Sequence, residues 1–363
     1  MKLPFQNPKA IQGLRTFSFS CAALLLALLC GAVIVAFSGY SPIGIYKVIF
    51  IDTLSSQSGI MLSLAQATPL MFTGMAFAIA YKVKLINLGE EGQLHLGAMA
   101  AALVGAYVTG LPHIPHVALA LAAGIIAGGL VGLLSGILRT KFGANEIITS
   151  ILLNSIITYF TSYLCNGPLR PEDSISPKTE AVLESARLTR LVPKTQVTTA
   201  ILIAVVIAIL LYILMNKTML GYEMKVTGLN ANAAKVHGIN VPKIYLFTIA
   251  LSGAIAGLCG AILALGVNGR YVEDISLNYG FAGISVAALA SYEPLAVLLT
   301  STIFGILKAG ALTVDRTTNV PVELVSVVQA FVVVFIAAPK MVSSMFDGLT
   351  SLAFNKRKRS QGA

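Results

Sequence analysis

Long apolar runs recur along the whole chain and constrain its fold more than any other feature. Ten of them are predicted to cross a bilayer, for which a helix needs roughly 20 residues, although the eighth is shorter and glycine-rich. They are residues 17–38, 60–81, 91–110, 117–138, 146–165, 197–215, 244–268, 278–291, 294–312 and 321–338. Only 11% of the residues are charged, whereas soluble domains carry about a quarter. The sequence therefore predicts an all-α fold, a polytopic transmembrane helix bundle.

The positions of Lys and Arg predict its orientation. Most of them fall on the cytoplasmic side if both termini are cytoplasmic. We expect a cytoplasmic N-terminal segment (1–16), a transmembrane domain (17–338) and a basic cytoplasmic tail (339–363). The domain includes an external loop at 166–196 and a long cytoplasmic loop at 216–243. Because the basic residues flank apolar runs, the net charge of +10 indicates a membrane protein and not a nucleic-acid-binding one.

A glycine motif occurs twice. NLGEEG (87–92) and NYGFAG (278–283) both read N-x-G-x-x-G, and each opens a helix rich in small residues. Five predicted spans separate them, as a 5+5 inverted repeat would give. Glycine-interrupted segments at matching places in two halves indicate the substrate path of a transporter. We expect helix breaks at the glycines of both motifs and a path beside Asn87, Gln93 and Asn278. Those glycines are Gly89, Gly92, Gly280 and Gly283.

Two adjacent glutamates, Glu90 and Glu91, stand in the first turn after Gly89. Acidic residues favour helix N-termini, and the inner membrane interface tolerates them. That interpretation suffices for Glu91. For Glu90, that interpretation and a role in the substrate path are equally favoured. A carboxylate at mid-bilayer is costly and cannot face lipid.

A polar stripe runs along the fifth predicted span. Its residues recur every four positions and so share one helix face, which should look inward: Glu146, Ser150, Asn154 and Thr158. Hydrogen bonds to neighbouring helices explain Ser150 and Thr158. Near the middle of the span, Asn154 is predicted to line the substrate path.

The cytoplasmic loop contains a short helix signal, NANAAKVHG. Asn230 is suited to cap its start, and Gly238 to end it in the left-handed conformation. Such a helix either docks on a soluble partner or is a capped surface turn. The docking alternative uses Asn230, Ala231, Ala233, Ala234, His237 and Gly238, with Ala234 small enough for close contact.

Several chemistries have no motif in this sequence. There is no G-x-x-x-x-G-K-[ST] phosphate loop, so the chain is not expected to hydrolyse ATP. His113 and His116 lack a further ligand nearby, so we predict no metal site and no bound cofactor. His95 is expected to bind a neighbouring side chain, and Lys308 is interpreted as reaching the outer interface.

Four stretches together resemble the permeases of bacterial ABC importers: NLGEEGQLHLGA, FGANEIITSILLNSI, GYEMKVTGLNANAAKVHGI and LSGAIAGLCGA. The family is the branched-chain amino acid/ribose-type permeases, and the nucleoside and simple-sugar branch is the most similar. The resemblance implies a bacterial inner-membrane subunit that pairs with a second permease, a cytoplasmic ATPase that uses ATP, and an external solute-binding lipoprotein. It also implies that residues 221–239 are the coupling loop. ALASYEP (288–294) departs from the glycine and small polar residues usual in the family.

The uncharged polar residues favour a small neutral solute, with a nucleoside ahead of a simple sugar or another metabolite such as a vitamin. A transporter driven by an ion gradient is the alternative from another class, since the repeat and Glu90 fit it too. An integral-membrane enzyme has only His95 and the two glutamates in its favour.

Overall fold

The computed structural model describes residues 25–318, together with positions 327 and 331. The chain divides into two compact units. The smaller one contains, among the described residues, 25–52 and 310–318. It holds α1 (Leu25–Phe37) and α2 (Pro42–Tyr46), which continues as a π-helical segment, Lys47–Asp52. Ser41 caps α2 through its hydroxyl, and Pro42 starts the helix where its missing N–H is not needed.

The larger unit, Thr53–Ala309, holds the remaining helices. Those of six or more residues are α3 (Gln57–Lys82), α4 (Glu90–Tyr107), α5 (His113–Phe142), α6 (Glu146–Asn166), α7 (Ala200–Lys217), α8 (Met219–Leu229), α9 (Ala231–Val236), α10 (Val241–Ile262), α11 (Tyr279–Leu289) and α12 (Pro294–Thr317). A π-helical segment, Leu263–Asn268, extends α10. The last turns of α12 belong to the smaller unit.

The described residues confirm the all-helical prediction: they contain two isolated β-bridges and no β-strand. Among the described residues, six helices are long and apolar enough to cross a membrane: α3, α5, α6, α7, α10 with its extension, and α12. Two more, α1 and α11, are apolar but shorter. The polar first turn of α4 lowers its hydropathy below theirs. Apart from positions 327 and 331, the tenth predicted span (321–338) lies outside the described residues. The predicted terminal segments 1–16 and 339–363 lie outside them as well, so ten spans in a 5+5 repeat stay a prediction.

Glycines bring α5 and α10 into backbone contact at the centre of the larger unit. A Cβ on Gly128 would overlap the carbonyl oxygen of Gly253 and lie 2.6 Å from Cα of Gly257. On the other side, Gly257 is equally close to the backbone of Gly97 in α4. Small residues four apart permit this approach, which is how helices associate without a hydrophobic driving force. The three helices therefore form one tightly packed core.

The loop at 166–196, which the sequence predicts to be external, is folded back onto the ends of this core. Its backbone N–H groups at Thr179, Val182 and Leu183 donate to the carbonyl oxygens of Tyr271, Gly269 and Gly105 at 3.0, 2.9 and 2.9 Å. His113 and His116 contact the same loop, since each places Nδ1 2.9–3.0 Å from an oxygen of Ser185. This pair therefore anchors the loop.

Adjacent glycines on α5 test the importance of this approach. Gly128→Ala should destabilise the protein by about 1–3 kcal/mol, because a methyl group there must push α5 and α10 apart. Gly129→Ala is the matched control, since the nearest atom to its Cβ would be 3.5 Å away. Its higher helix propensity should leave stability equal or slightly increased. The measurement is the temperature at which detergent-solubilised protein loses its monodisperse gel-filtration peak. Equal midpoints for the two variants would contradict the assignment.

Candidate functional site

The two glycine motifs meet in space. They open α4 and α11, and the N–H of Gly280 donates to Oε2 of Glu91 at 2.8 Å. A Cβ on Gly280 would lie only 2.7 Å from the backbone nitrogen of Glu91, so glycine is required for the contact. Glu91 thus supplies a carboxylate to the N-terminus of α11, where free N–H groups and the helix dipole favour negative charge. Glu91 lies in the first turn of α4, as the sequence predicted, but its side chain is only 7% exposed and bonds to the start of a second helix.

Glu90, the neighbouring residue, differs in its bonding. It is 1% exposed, and neither carboxyl oxygen has a hydrogen-bond partner among the described residues. A buried polar group without a partner is costly and rare in native structures. Glu90 therefore has hydrogen-bonding capacity that this conformation leaves unused.

Asn87 and Gln93 form a closed hydrogen-bond network. The amide of Asn87 donates to Oε1 of Gln93 at 3.0 Å and to Oγ of Ser252 at 2.9 Å, while Gln93 donates back at 3.2 Å. Ser252 in turn donates to the carbonyl oxygen of Ala76 in α3. Both amide residues are fully buried. These bonds attach the loop before α4 to α3 and α10. Ser252 belongs to this hydrogen-bond network, although the apolar sequence around it did not indicate such a role.

The polar stripe of α6 faces the first turns of α4. A Cβ added to Gly89 would lie 3.2 Å from Cβ of Ser150, and a Cβ added to Gly92 would lie 2.8 Å from Oδ1 of Asn154. The Oδ1 atom of Asn154 is buried and has no partner within the described residues. At the end of the stripe, Glu146 forms an ion pair with Arg139. Asn154 and Glu90 are thus the two predicted path residues with unused oxygen acceptors.

Asn278 lies apart from these four residues. It is exposed and precedes α11 with a left-handed backbone (φ 60°), and its side chain makes no capping bond. Leu277 beside it is also left-handed (φ 46°). Gly283, the last glycine of the second motif, packs against Thr73 in α3.

Lys308 and His95 complete the polar surroundings of α11 and α4. Lys308 extends from α12 to the start of α11. Its Nζ lies 3.7 Å from the ring centroid of Tyr279 and donates to the carbonyl oxygen of Leu277 at 3.2 Å. His95 places Nδ1 2.9 Å from the hydroxyl of Tyr271, which confirms the expected neighbour. Tyr279 directly follows Asn278 within the second motif, and the glycine spacing alone does not indicate its contact with Lys308.

The predicted short helix of the loop is present as α9. Oδ1 of Asn230 accepts from the N–H groups of Asn232 and Ala233 at 3.0 and 3.1 Å, and Gly238 has φ +80°. The cap and the left-handed end are therefore confirmed. The predicted contact surface at Ala234 is wrong, because this residue is completely buried in its own chain.

The outward surface of this region is formed by other residues. Leu229 and Val236 are each 86% exposed, and Ala233, Lys235 and His237 are exposed as well, while Ala231 is half-buried. Apolar side chains this exposed at the ends of α8 and α9 are unusual beside a polar loop. Leu229 and Val236 thus form an exposed apolar surface, which the sequence pattern alone did not distinguish from a buried helix face.

An all-helical chain with bilayer-length helices, in which two helix starts meet at buried carboxyl groups, is a polytopic membrane protein of the transporter class. The chain belongs to the family described as branched-chain amino acid transport system / permease component, whose model matches residues 59–337.

Three relatives extend over almost the whole chain. The nucleoside ABC transporter permease protein NupB of Lactococcus lactis is 29% identical over 94% of this chain and 96% of the relative. The guanosine ABC transporter permease protein NupP of Bacillus subtilis is 33% identical over 87% and 91%. The glucose ABC transporter permease protein TsgB13 of Haloferax volcanii is 33% identical over 92% and 90%. The chain is thus an ABC transporter permease, a transport subunit and not an enzyme.

The two glutamates should respond differently to the same substitution. Glu91→Gln keeps an acceptor oxygen for the N–H of Gly280, so uptake should fall little. Glu90→Gln exchanges one of the two unused acceptor oxygens for an NH2 group, which can only donate, so uptake per molecule in the membrane should fall roughly tenfold, which corresponds to about 1.4 kcal/mol. Radiolabelled solute uptake, normalised to membrane level, measures both. Glu91→Leu is the control for the cap and should lower the membrane level. A larger loss of uptake in Glu91→Gln than in Glu90→Gln would reverse the assignment.

Proposed function

We propose that this permease imports a nucleoside. The observation that carries the proposal is the likeness to NupB and NupP, two relatives with nucleoside or guanosine in their names, over at least 87% of the chain. The site supports a neutral, hydrogen-bonding solute, because its unused groups are the Glu90 carboxyl oxygens and Oδ1 of Asn154. A simple sugar is the second candidate, favoured by the likeness to the glucose permease TsgB13.

We infer that the substrate path runs past the meeting point of α4 and α11. Among the predicted path residues, Glu90 and Asn154 are suited to contact the solute. Asn87 and Gln93 support them, since their own bonds are satisfied within the chain. Asn278, exposed before α11, would meet the solute on approach or departure.

The proposed topology has ten spans in two inverted halves of five, within residues 17–338, in the bacterial inner membrane. The two N-x-G-x-x-G helix starts support it, because related segments of opposite orientation are expected to meet near the middle of the bilayer. In this topology both termini are cytoplasmic, loop 166–196 is external, loop 216–243 is cytoplasmic, and residues 339–363 form a basic tail.

Three partners follow from this function. A cytoplasmic ABC ATPase supplies ATP hydrolysis and docks on α8–α9. A second permease subunit, identical or not, and an external solute-binding lipoprotein complete the importer. Lipid or the second permease covers the side of α6 and α7 on which large apolar residues such as Ile156 and Leu210 are exposed.

Uptake by reconstituted complexes tests the energy source. In liposomes, the permease assembled with its ATPase and lipoprotein should accumulate radiolabelled guanosine or uridine only when ATP is present. The permease alone should not hydrolyse ATP, because it lacks a phosphate loop. Labelled glucose is the competing substrate, and its preferential uptake would support the sugar alternative. Accumulation by the permease alone under a proton or sodium gradient would overturn the ATP-driven assignment.

The exposed apolar pair should carry ATPase docking. Leu229→Asp and Val236→Asp place a charge where an apolar partner surface would be, so each should reduce ATPase co-purification at least fivefold, or about 1 kcal/mol of binding. Membrane levels should stay normal, because neither side chain packs in the chain itself. Ile175→Asp, at an equally exposed residue of the external loop, is the matched control. Ala234→Asp should instead lower the level of folded permease. Normal co-purification of both Leu229→Asp and Val236→Asp would place the docking surface elsewhere.

A further inference from the structure

The turn between α11 and α12 has an unfavourable backbone. Ser291 and Tyr292 are consecutive non-glycine residues with φ 52° and 60°, in the left-handed region that L side chains rarely adopt. This turn is part of the ALASYEP stretch (288–294). Strained backbone of this kind persists only when surrounding contacts hold it.

Two contacts to the end of α3 hold the turn. The rings of Tyr292 and Tyr81 stack, with centroids 3.9 Å apart and planes inclined by 25°. The ammonium group of Lys82 lies 2.5 Å from Oε1 of Glu293. Phe77 extends the aromatic group, with its centroid 6.4 Å from that of Tyr292. The conformation is thus fixed by side chains and not by glycine.

The same end of α3 contacts α8. A Cβ on Gly228 would overlap the carbonyl oxygen of Lys82 and lie 3.1 Å from Cα of Val83. Backbone contact this close leaves no room for sliding, so a displacement of α8 must displace residues 82–83. Residues 81–83 therefore lie between α8 and the turn.

Beyond the turn, α11 leads directly to the candidate site. Its 11 residues span about 16 Å at 1.5 Å per residue. At the far end, the N–H of Gly280 donates to Glu91. A short helix moves as a rigid body, so a shift of the turn would reach the meeting point of the two motifs.

We propose that Tyr292 and Glu293 are positioning residues that couple α8 to the site, through the end of α3 and the rigid helix α11. The inference rests on the proposed function, in which the ATPase docks on α8–α9. The Tyr81–Tyr292 stack and the Lys82–Glu293 pair form the connection. The departure from small residues in this turn is thereby explained: the turn serves an internal contact in place of a second docking contact.

The coupling ratio, ATP hydrolysed per solute imported, tests this proposal in the complete importer with radiolabelled guanosine or uridine. Tyr292→Gly keeps a residue suited to φ +60° but deletes the ring, and should raise the ratio at least fivefold, within the range of coupling effects between sites. ATPase co-purification should be unchanged, because the docking surface is intact. Tyr292→Phe keeps the ring and should keep the ratio.

Charge reversal gives an independent test. Lys82→Glu and Glu293→Lys should each raise the ratio, and the double variant should restore it, because the pair is re-formed with opposite polarity. A merely structural role would change the membrane level in all three variants without restoring coupling in the double one. If Tyr292→Gly does not accumulate, the charge-reversal series decides alone.

The outcomes separate this inference from the proposed function. If the wild-type complex imports neither nucleoside, the proposed function fails. If it imports one of them, and both Tyr292→Gly and the single charge reversals retain the wild-type ratio, the connection through Tyr292 and Glu293 is overturned.

Discussion

Backbone contact between α5 and α10 is the constraint on which the rest of the larger unit depends. In lipid, apolar side chains gain nothing by leaving a hydrocarbon solvent for a hydrocarbon core, so close van der Waals contact has to hold the helices together. Gly128 and Gly257 permit that contact, and Gly97 brings α4 to the same place. The position of α4 determines where Asn87 and Gln93 meet Ser252. A change of one methyl group in this core would therefore be felt at the first turn of α4, although none of these glycines touches a polar group of the site.

The site itself depends on a carboxylate in the first turn of one helix that accepts from the start of a second helix. Each helix N-terminus leaves backbone N–H groups free, and a membrane offers no water to satisfy them. Glu91 lies in the first turn of α4 and accepts from the N–H of Gly280 at the start of α11, so a side chain of one helix satisfies a donor of the other. This arrangement explains why a charged residue is tolerated at such burial. It also explains why the second motif needs no acidic residue of its own.

Local sequence patterns predicted part of the fold and of the candidate site, and the features that they did not predict depend on long-range contacts. The apolar runs predicted the helices, and the Asn230 cap and Gly238 end of α9 were readable because they depend on neighbours within a few residues. The burial of Ala234 and the contact of Lys308 with Tyr279 depend on helices far away in sequence. The same limit explains Glu91: its spacing predicted a helix start, but Gly280 lies 189 positions away. The glycines that recur every four residues in α5 are the local pattern that indicates its close contact with α10.

Satisfied and unsatisfied polar groups divide the site into a fixed part and a variable part. Asn87, Gln93 and Ser252 exchange hydrogen bonds among themselves, so moving any of them would break several bonds at once. Within the part of the chain that the structure describes, Glu90 and Asn154 hold no such bonds on their acceptor oxygens. A solute that donated to them would therefore remove a cost already present in the protein. On the proposed path, binding energy would be gained at the two residues without hydrogen bonds of their own, while the network of Asn87, Gln93 and Ser252 keeps α4 in place against α3 and α10. A transporter needs this division, since its site must change access without losing its fold.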